Sequence, residues 1–175
     1  NGYDISADAL GYPENYYTPP AEGLEEIQIL RGAASLQYGT QFGGLINFIM
    51  KRPNTDKKLE IVTRNTVGSN KLFTNFTSVS SSNEKVNYYG YINYKKGDGF
   101  RINSNYESTN TYQFVEFNLN ETTSLSSEIT YLTYLAKQAG GLSDQMFNSD
   151  PYQSNRSRNW FEIEWFLYNL KFKNW

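Results

Sequence analysis

From position 57 onward, apolar and polar residues alternate in segments of about ten, broken by short polar runs. The segments predict strands at 59–68, 71–81, 85–96, 111–120, 125–137 and 160–174. In the third, Val86, Tyr88, Gly90, Ile92 and Tyr94 share one side, and Lys85, Asn87, Tyr89, Tyr91, Asn93 and Lys95 the other. The fourth sets Gln113, Val115, Phe117 and Leu119 against Tyr112, Phe114, Glu116, Asn118 and Asn120. The fifth sets Ile129, Tyr131, Thr133 and Leu135 against Glu128, Thr130, Leu132, Tyr134 and Ala136. In each, one side suits an apolar medium and the other water.

The sixth segment alternates less cleanly. Phe161, Ile163, Trp165 and Leu167 oppose Glu162 and Glu164, but the same parity then carries Asn169 and Lys171 onto the apolar side. A bulge near Phe166 would return Leu170 and Phe172 to that side, and the sequence leaves this register open. The first two segments are rich in Asn, Ser and Thr and give weak registers. Connections also alternate in length: 68–70, 81–84 and 121–124 are short, whereas 97–110 and 138–159 are long. In an up-and-down sheet, one end then carries only short turns and the other most of the long loops, as in outer-membrane barrels.

Residues 1–53 follow a different pattern. They hold Pro13, Pro19, Pro20 and Pro53 and seven of the 13 glycines, which predicts short elements joined by tight turns. Pro19-Pro20 before Ala-Glu-Gly-Leu-Glu-Glu predicts one or two helical turns, with acids near the positive end of the dipole. Residues 27–30 predict a short strand, and 45–50, almost wholly apolar, a strand covered on both faces.

Composition narrows the function. The chain has 175 residues, 17% of them aromatic, with 15 Tyr, the kind of side chain that suits a boundary between apolar and wet phases. It has no Cys and no His, which excludes disulfide scaffolds, thiol nucleophiles, cysteine zinc sites and the commonest general base. A formal charge of −2 provides no basic field for nucleic acid. No stretch approaches the ~18 apolar residues of a transmembrane helix, a test that strands crossing a membrane escape.

One stretch is specific. Leu-Glu-Glu-Ile-Gln-Ile-Leu-Arg-Gly-Ala-Ala-Ser-Leu-Gln-Tyr-Gly (24–39), then Phe-Gly-Gly-Leu-Ile-Asn-Phe-Ile-Met-Lys-Arg-Pro (42–53), resembles the end of the plug domain of TonB-dependent outer-membrane receptors. The shared pattern is Arg31-Gly32, Tyr38-Gly39, Gly43-Gly44, an apolar strand with Asn, and Lys51-Arg52-Pro53. The resemblance implies a mainly β chain: 1–53 as the C-terminal part of a small α+β plug, and 54–175 as about six antiparallel strands of a transmembrane barrel. The family's barrels have about 22 strands, so the resemblance implies an internal fragment of a longer receptor. Gly39, Gly43 and Gly44 would supply positive φ or close backbone approach inside the plug. Arg31 resembles a plug arginine that pairs with wall glutamates.

The segments 11–20, 38–41, 140–144 and 150–159 are similar to receptors for ferric citrate. This implies an anionic ferric chelate as cargo, with Arg101, Arg156 and Arg158 as carboxylate ligands on external loops and Gln41 as a plug contact; Tyr16 and Tyr17 suit cargo contact from a plug apex and packing equally. For each arginine, a solvated surface charge is the competing reading, and Gln41 equally suits a turn bond to backbone. The implied partners are outer-membrane lipid of a Gram-negative bacterium, the ferric chelate and the TonB complex, whose contact segment is absent from these residues. No resident cofactor is expected, iron arriving only within cargo. Two alternatives stay open: a plugged importer of glycans or peptides, and a soluble all-β binding or adhesion module. No catalytic constellation is present, since Glu162 and Glu164, one step apart on a strand face, do not flank a scissile bond.

Overall fold

The computed structural model describes residues 18–32 and 44–174. The chain divides into two compact units, Asn1–Arg52 and Pro53–Trp175. In the first, a 3-10 turn at Ala21–Gly23 follows Pro19-Pro20, the shorter of the one or two helical turns expected; Gly23 N donates to Pro20 O at 2.9 Å. The chain extends at once into β1 (Leu24–Leu30), longer than the strand expected from Ile27. β1 pairs antiparallel with β2 (Leu45–Met50), and a bulge lies between Leu24 and Glu26. Asn47 Nδ2 donates to Gln28 Oε1 across this pair at 3.0 Å. Among the described residues β2 has β1 as its sheet partner, and Ile46 is 59% exposed, so its apolar run does not mark a strand covered on both faces.

The second unit is one antiparallel meander in chain order: β3 (Glu60–Val67), β4 (Phe73–Ser82), β5 (Val86–Gly97), β6 (Tyr106–Asn118), β7 (Thr123–Lys137) and β8 (Trp160–Asn174). A membrane strand needs about 9–11 residues at a ~45° tilt, and β4 to β8, with 10, 12, 13, 15 and 15, reach that length. β6 begins five positions before the expected 111, because Ser108 and Asn110 face the buried side and supply polar groups there rather than a loop. A six-residue helix, α1 (Asp144–Ser149), lies in the β7–β8 connection and was not expected. Among the described residues no helix is long and apolar enough to cross a membrane, which says nothing of crossing by strands.

Register assigns every strand residue to a face. One face carries the buried residues Phe76, Ser78, Tyr89, Tyr91, Asn110, Tyr112, Phe114, Glu128, Thr130 and Leu132, a mixture of rings and polar groups. Its centre is a run of rings across three strands, with Phe76–Tyr91 centroids at 5.4 Å and Tyr91–Tyr112 stacked at 5.7 Å. Pairs of this kind contribute about 0.5–1.5 kcal/mol beyond their buried area. The opposite face carries Ile61, Val79, Ile92, Val115, Phe117, Ile129 and Tyr131, and on β8 Phe166, Tyr168, Leu170 and Phe172. Those four β8 residues are 55–66% exposed, an apolar stripe turned outward.

β8 corrects the sequence reading. β7 and β8 pair without interruption from Thr123↔Asn174 to Lys137↔Trp160, so no bulge occurs near Phe166. Phe161, Ile163, Trp165 and Leu167 therefore share the inward face with Asn169 and Lys171, and Glu162 and Glu164 lie outward near the loop end. The physical reason is packing. Trp165 sits opposite Leu132 and Ile163 opposite Tyr134, so the inward face accepts large apolar side chains wherever the neighbouring strand offers them.

Turn chemistry separates the two ends. Asn83 Oδ1 accepts from the backbone N–H of Lys85 and Val86, both at 2.9 Å, and closes β4–β5. Asn120 Oδ1 accepts from Thr122 N at 2.9 Å and closes β6–β7 in the same way. At the other end, Asn70 and Lys71 have φ of 54° and 53° and Leu72 N donates to Ser69 O at 3.1 Å, the mirror-image turn that fits strand twist. Loops 98–105 and 138–159 leave from this end too, in agreement with the expected asymmetry.

Candidate functional site

The long-loop end is stitched together from its sequence-distant parts. Asp98 N donates to Asn70 O at 2.8 Å, and Lys71 Nζ lies 2.7 Å from Asp98 Oδ2, tying the β3–β4 turn to loop 98–105. The Asp98 hydrogen bond, then its charge, raise the Lys71 pKa above the ordinary 10.5 against a small opposing effect of desolvation. Within 138–159, Ser143 Oγ caps α1 by accepting from Met146 N at 3.3 Å. Gln153 Nε2 then donates to Met146 O at 2.6 Å and Asp150 O at 3.0 Å, folding the segment after the helix against it. Ser154 Oγ donates to Ala139 O at 3.1 Å, and Asn155 N donates to the same oxygen at 3.2 Å, so the loop's end lies on its start.

Loop 98–105 grips this structure. The Arg101 guanidinium donates through Nε and Nη2 to Gln153 O, at 3.0 and 2.8 Å, and through Nη1 to Gly140 O at 2.7 Å. Ile102 N donates to Tyr152 O at 3.1 Å. Asn103, at φ 58°, reaches Gln138 O at 3.1 Å and Arg156 O at 2.7 Å through Nδ2. Phe100 and Tyr152 bring their rings to 4.9 Å across the same junction. Gly140 has φ 75°, and a Cβ there would meet the Asn155 side chain and approach Arg156 Cγ to 2.5 Å.

Of the expected cargo ligands, the structure brings Arg101, Arg156 and Arg158 to this end. Arg101 is half-buried and engaged by carbonyls, whereas Arg156 and Arg158 are exposed. Among the described residues neither of the two exposed side chains has a hydrogen-bond or ion-pair partner. Guanidiniums presented in this way suit planar carboxylates. Gln41, Tyr38, Gly39, Gly43, Tyr16 and Tyr17 lie outside the described residues. Arg31 is exposed immediately after β1, and Gly32 has φ 62° with open space about it. Gly44 has φ 119°, and a Cβ would come within 2.6 Å of Leu30 O, so this position requires glycine.

Sequence reasoning missed Asn103, Gly140, Gln153 and the Phe100–Tyr152 pair. Local signals existed for Asn103 and Gly140, residue types that favour the left-handed region both adopt. It also missed an inward cluster, in which buried Glu128 accepts from Tyr112 Oη at 3.1 Å and stands 3.7 Å from Lys171 Nζ. Among the described residues no group of His, Cys, Asp or Glu is arranged to hold a metal ion.

No protein-family model matches the chain, and no curated protein does. A solved structure does: a chain of the FpvAI–pyocin S2 complex superposes with a TM-score of 0.60 at 21% identity, over 86% of this chain and 20% of that one. At that identity the likeness speaks for the fold, a mainly β chain with the antiparallel strands of a partial barrel. The chain spans 20% of the length of the protein it resembles.

Proposed function

We propose that this chain belongs to a TonB-dependent outer-membrane importer, with residues 1–53 in the plug and 54–175 in the barrel wall, and that its cargo is an anionic ferric chelate, ferric citrate or a related siderophore. The observation that carries the reading is the inequality of the sheet's two sides. An outward stripe of exposed Phe166, Tyr168, Leu170 and Phe172 backs onto an inward face holding Glu128, Asn169 and Lys171. Hydrocarbon outside and a polar bore within account for both sides. The likeness to FpvAI, a TonB-dependent receptor, supports the same reading, as does the glycine-rich signature of residues 24–53.

Cargo would settle among the long loops, where Arg156 and Arg158 offer bidentate donors to carboxylates. Energy delivered through the TonB complex would then displace the plug. An importer needs no catalytic centre for this. The test is uptake and binding of ferric citrate by the full-length receptor in outer membranes with and without TonB. A TonB-dependent signal that falls at least about tenfold in the Arg156→Ala/Arg158→Ala double variant is expected, the loss of about 1.4 kcal/mol of binding. Binding of glycans or peptides with no response to ferric citrate would move the cargo assignment to the corresponding importers. A full-length protein that is monomeric in plain buffer would end the membrane reading.

A further inference from the structure

We infer that Arg101 is a positioning residue, the clasp that makes loops 98–105 and 138–159 one rigid body, and that it acts on cargo through Arg156 rather than by touching it. Three of its guanidinium N–H groups end on backbone oxygens of the longer loop, Gly140 O near the loop's start and Gln153 O near its end. One planar fork thereby spans both legs of the loop, a geometry that a lysine ammonium does not reproduce. The attachment extends on either side, since Ile102 N bonds Tyr152 O and Asn103 Nδ2 bonds Gln138 O and Arg156 O.

Gly140 supplies an independent sign that the junction is built to one shape. Its left-handed φ and the nearness of Asn155 and Arg156 leave no room for a Cβ where the two legs meet. Arg156 thus has its backbone oxygen held by Asn103 and its stem packed beside Gly140, while its charged end stays exposed. An arginine whose backbone is fixed before cargo arrives loses less freedom on binding, and that advantage depends on the clasp.

The inference about cargo rests on the importer reading, but the clasp itself is testable without cargo. In the full-length protein, Arg101→Ala and Arg101→Lys should each speed hydrogen exchange at the Ile102 and Asn155 amides by roughly tenfold or more, with the thermal midpoint of the barrel unchanged. Gly140→Ala, which leaves the charge alone, should do the same from the other loop. Unchanged exchange in both Arg101 variants would overturn the clasp whatever the receptor transports. With ferric citrate as probe, Arg101→Lys should weaken affinity as much as Arg101→Ala, and Arg101→Ala should cause no further loss in the Arg156→Ala/Arg158→Ala background. Rescue by lysine to within about twofold, or an added loss in that background, would make Arg101 a direct ligand instead.

Discussion

Leu170 tests the outward stripe in energetic terms. It lies between Tyr168 and Phe172 on the outward face of β8 and is 55% exposed. If the surrounding medium is hydrocarbon, that exposed share holds about 1.4 kcal/mol of the roughly 2.5 kcal/mol assigned to a fully sequestered leucine. Leu170→Ala should then cost about 1.4 kcal/mol in a bilayer. Leu170→Arg should cost more still, up to the ~2–4 kcal/mol penalty of a cation at middle depth. In water the same exposed position would tolerate either change within about 0.5 kcal/mol. The next residue, Lys171, already carries a charge on the inward face, so a penalty at 170 would report the face and not the strand. The assay is urea unfolding of the full-length protein reconstituted in phospholipid vesicles. Free energies for both variants within about 0.5 kcal/mol of the parent would refute the lipid-facing assignment.

Three other outcomes follow from the geometry. Gly44→Ala should destabilise the β1–β2 unit by about 1–3 kcal/mol, because it combines φ 119° with a Cβ placed 2.6 Å from Leu30 O, and limited proteolysis of the full-length protein should register it. Lys171→Met should cost about 1–2 kcal/mol in the vesicle assay; breaking a buried pair costs more, but Lys171 keeps a third of its exposure and Tyr112 continues to support Glu128. The Lys71–Asp98 link should hold at neutral pH and weaken with added salt. Because the folded pKa of Lys71 is raised, the stabilisation is complete below 10.5 and is lost as pH rises through the higher folded value, which nitrogen chemical shifts of the 68–72 turn should follow.

The strands from β5 to β7 were legible in the sequence because their outward sides hold nothing charged between Val86 and Tyr94 or between Ile129 and Leu135, so period two stands out. β8 was legible in extent but not in register. Trp165 and Leu167 look outward by hydropathy, yet they pack inward beside Leu132 and Thr130, and only the unbroken ladder with β7 decides between the two sides. A barrel interior of this sort is not uniformly polar, so alternation alone underdetermines which side is wet. The start of β6 was hidden for the converse reason, since Ser108 and Asn110 read as loop residues but serve a polar inward face. At the loop end the arginines were visible as chemistry. The division of labour among them was not, because the bonds of Arg101 to Gly140 and Gln153 span 39 and 52 residues and leave no local trace.

The central claim is that successive residues of these strands meet different media, and single cysteines placed in these 175 residues, which hold none of their own, can test it once any cysteine elsewhere in the full-length protein is replaced. Single spin labels placed one by one from 166 to 172 in the full-length protein, reconstituted in vesicles, should relax with oxygen at 166, 168, 170 and 172. At 167, 169 and 171 that sensitivity should fall away, giving a strict period of two. A phase slip within that stretch would restore the bulge that the register denies. Equal access of a water-soluble relaxant to all seven positions would contradict the membrane wall itself.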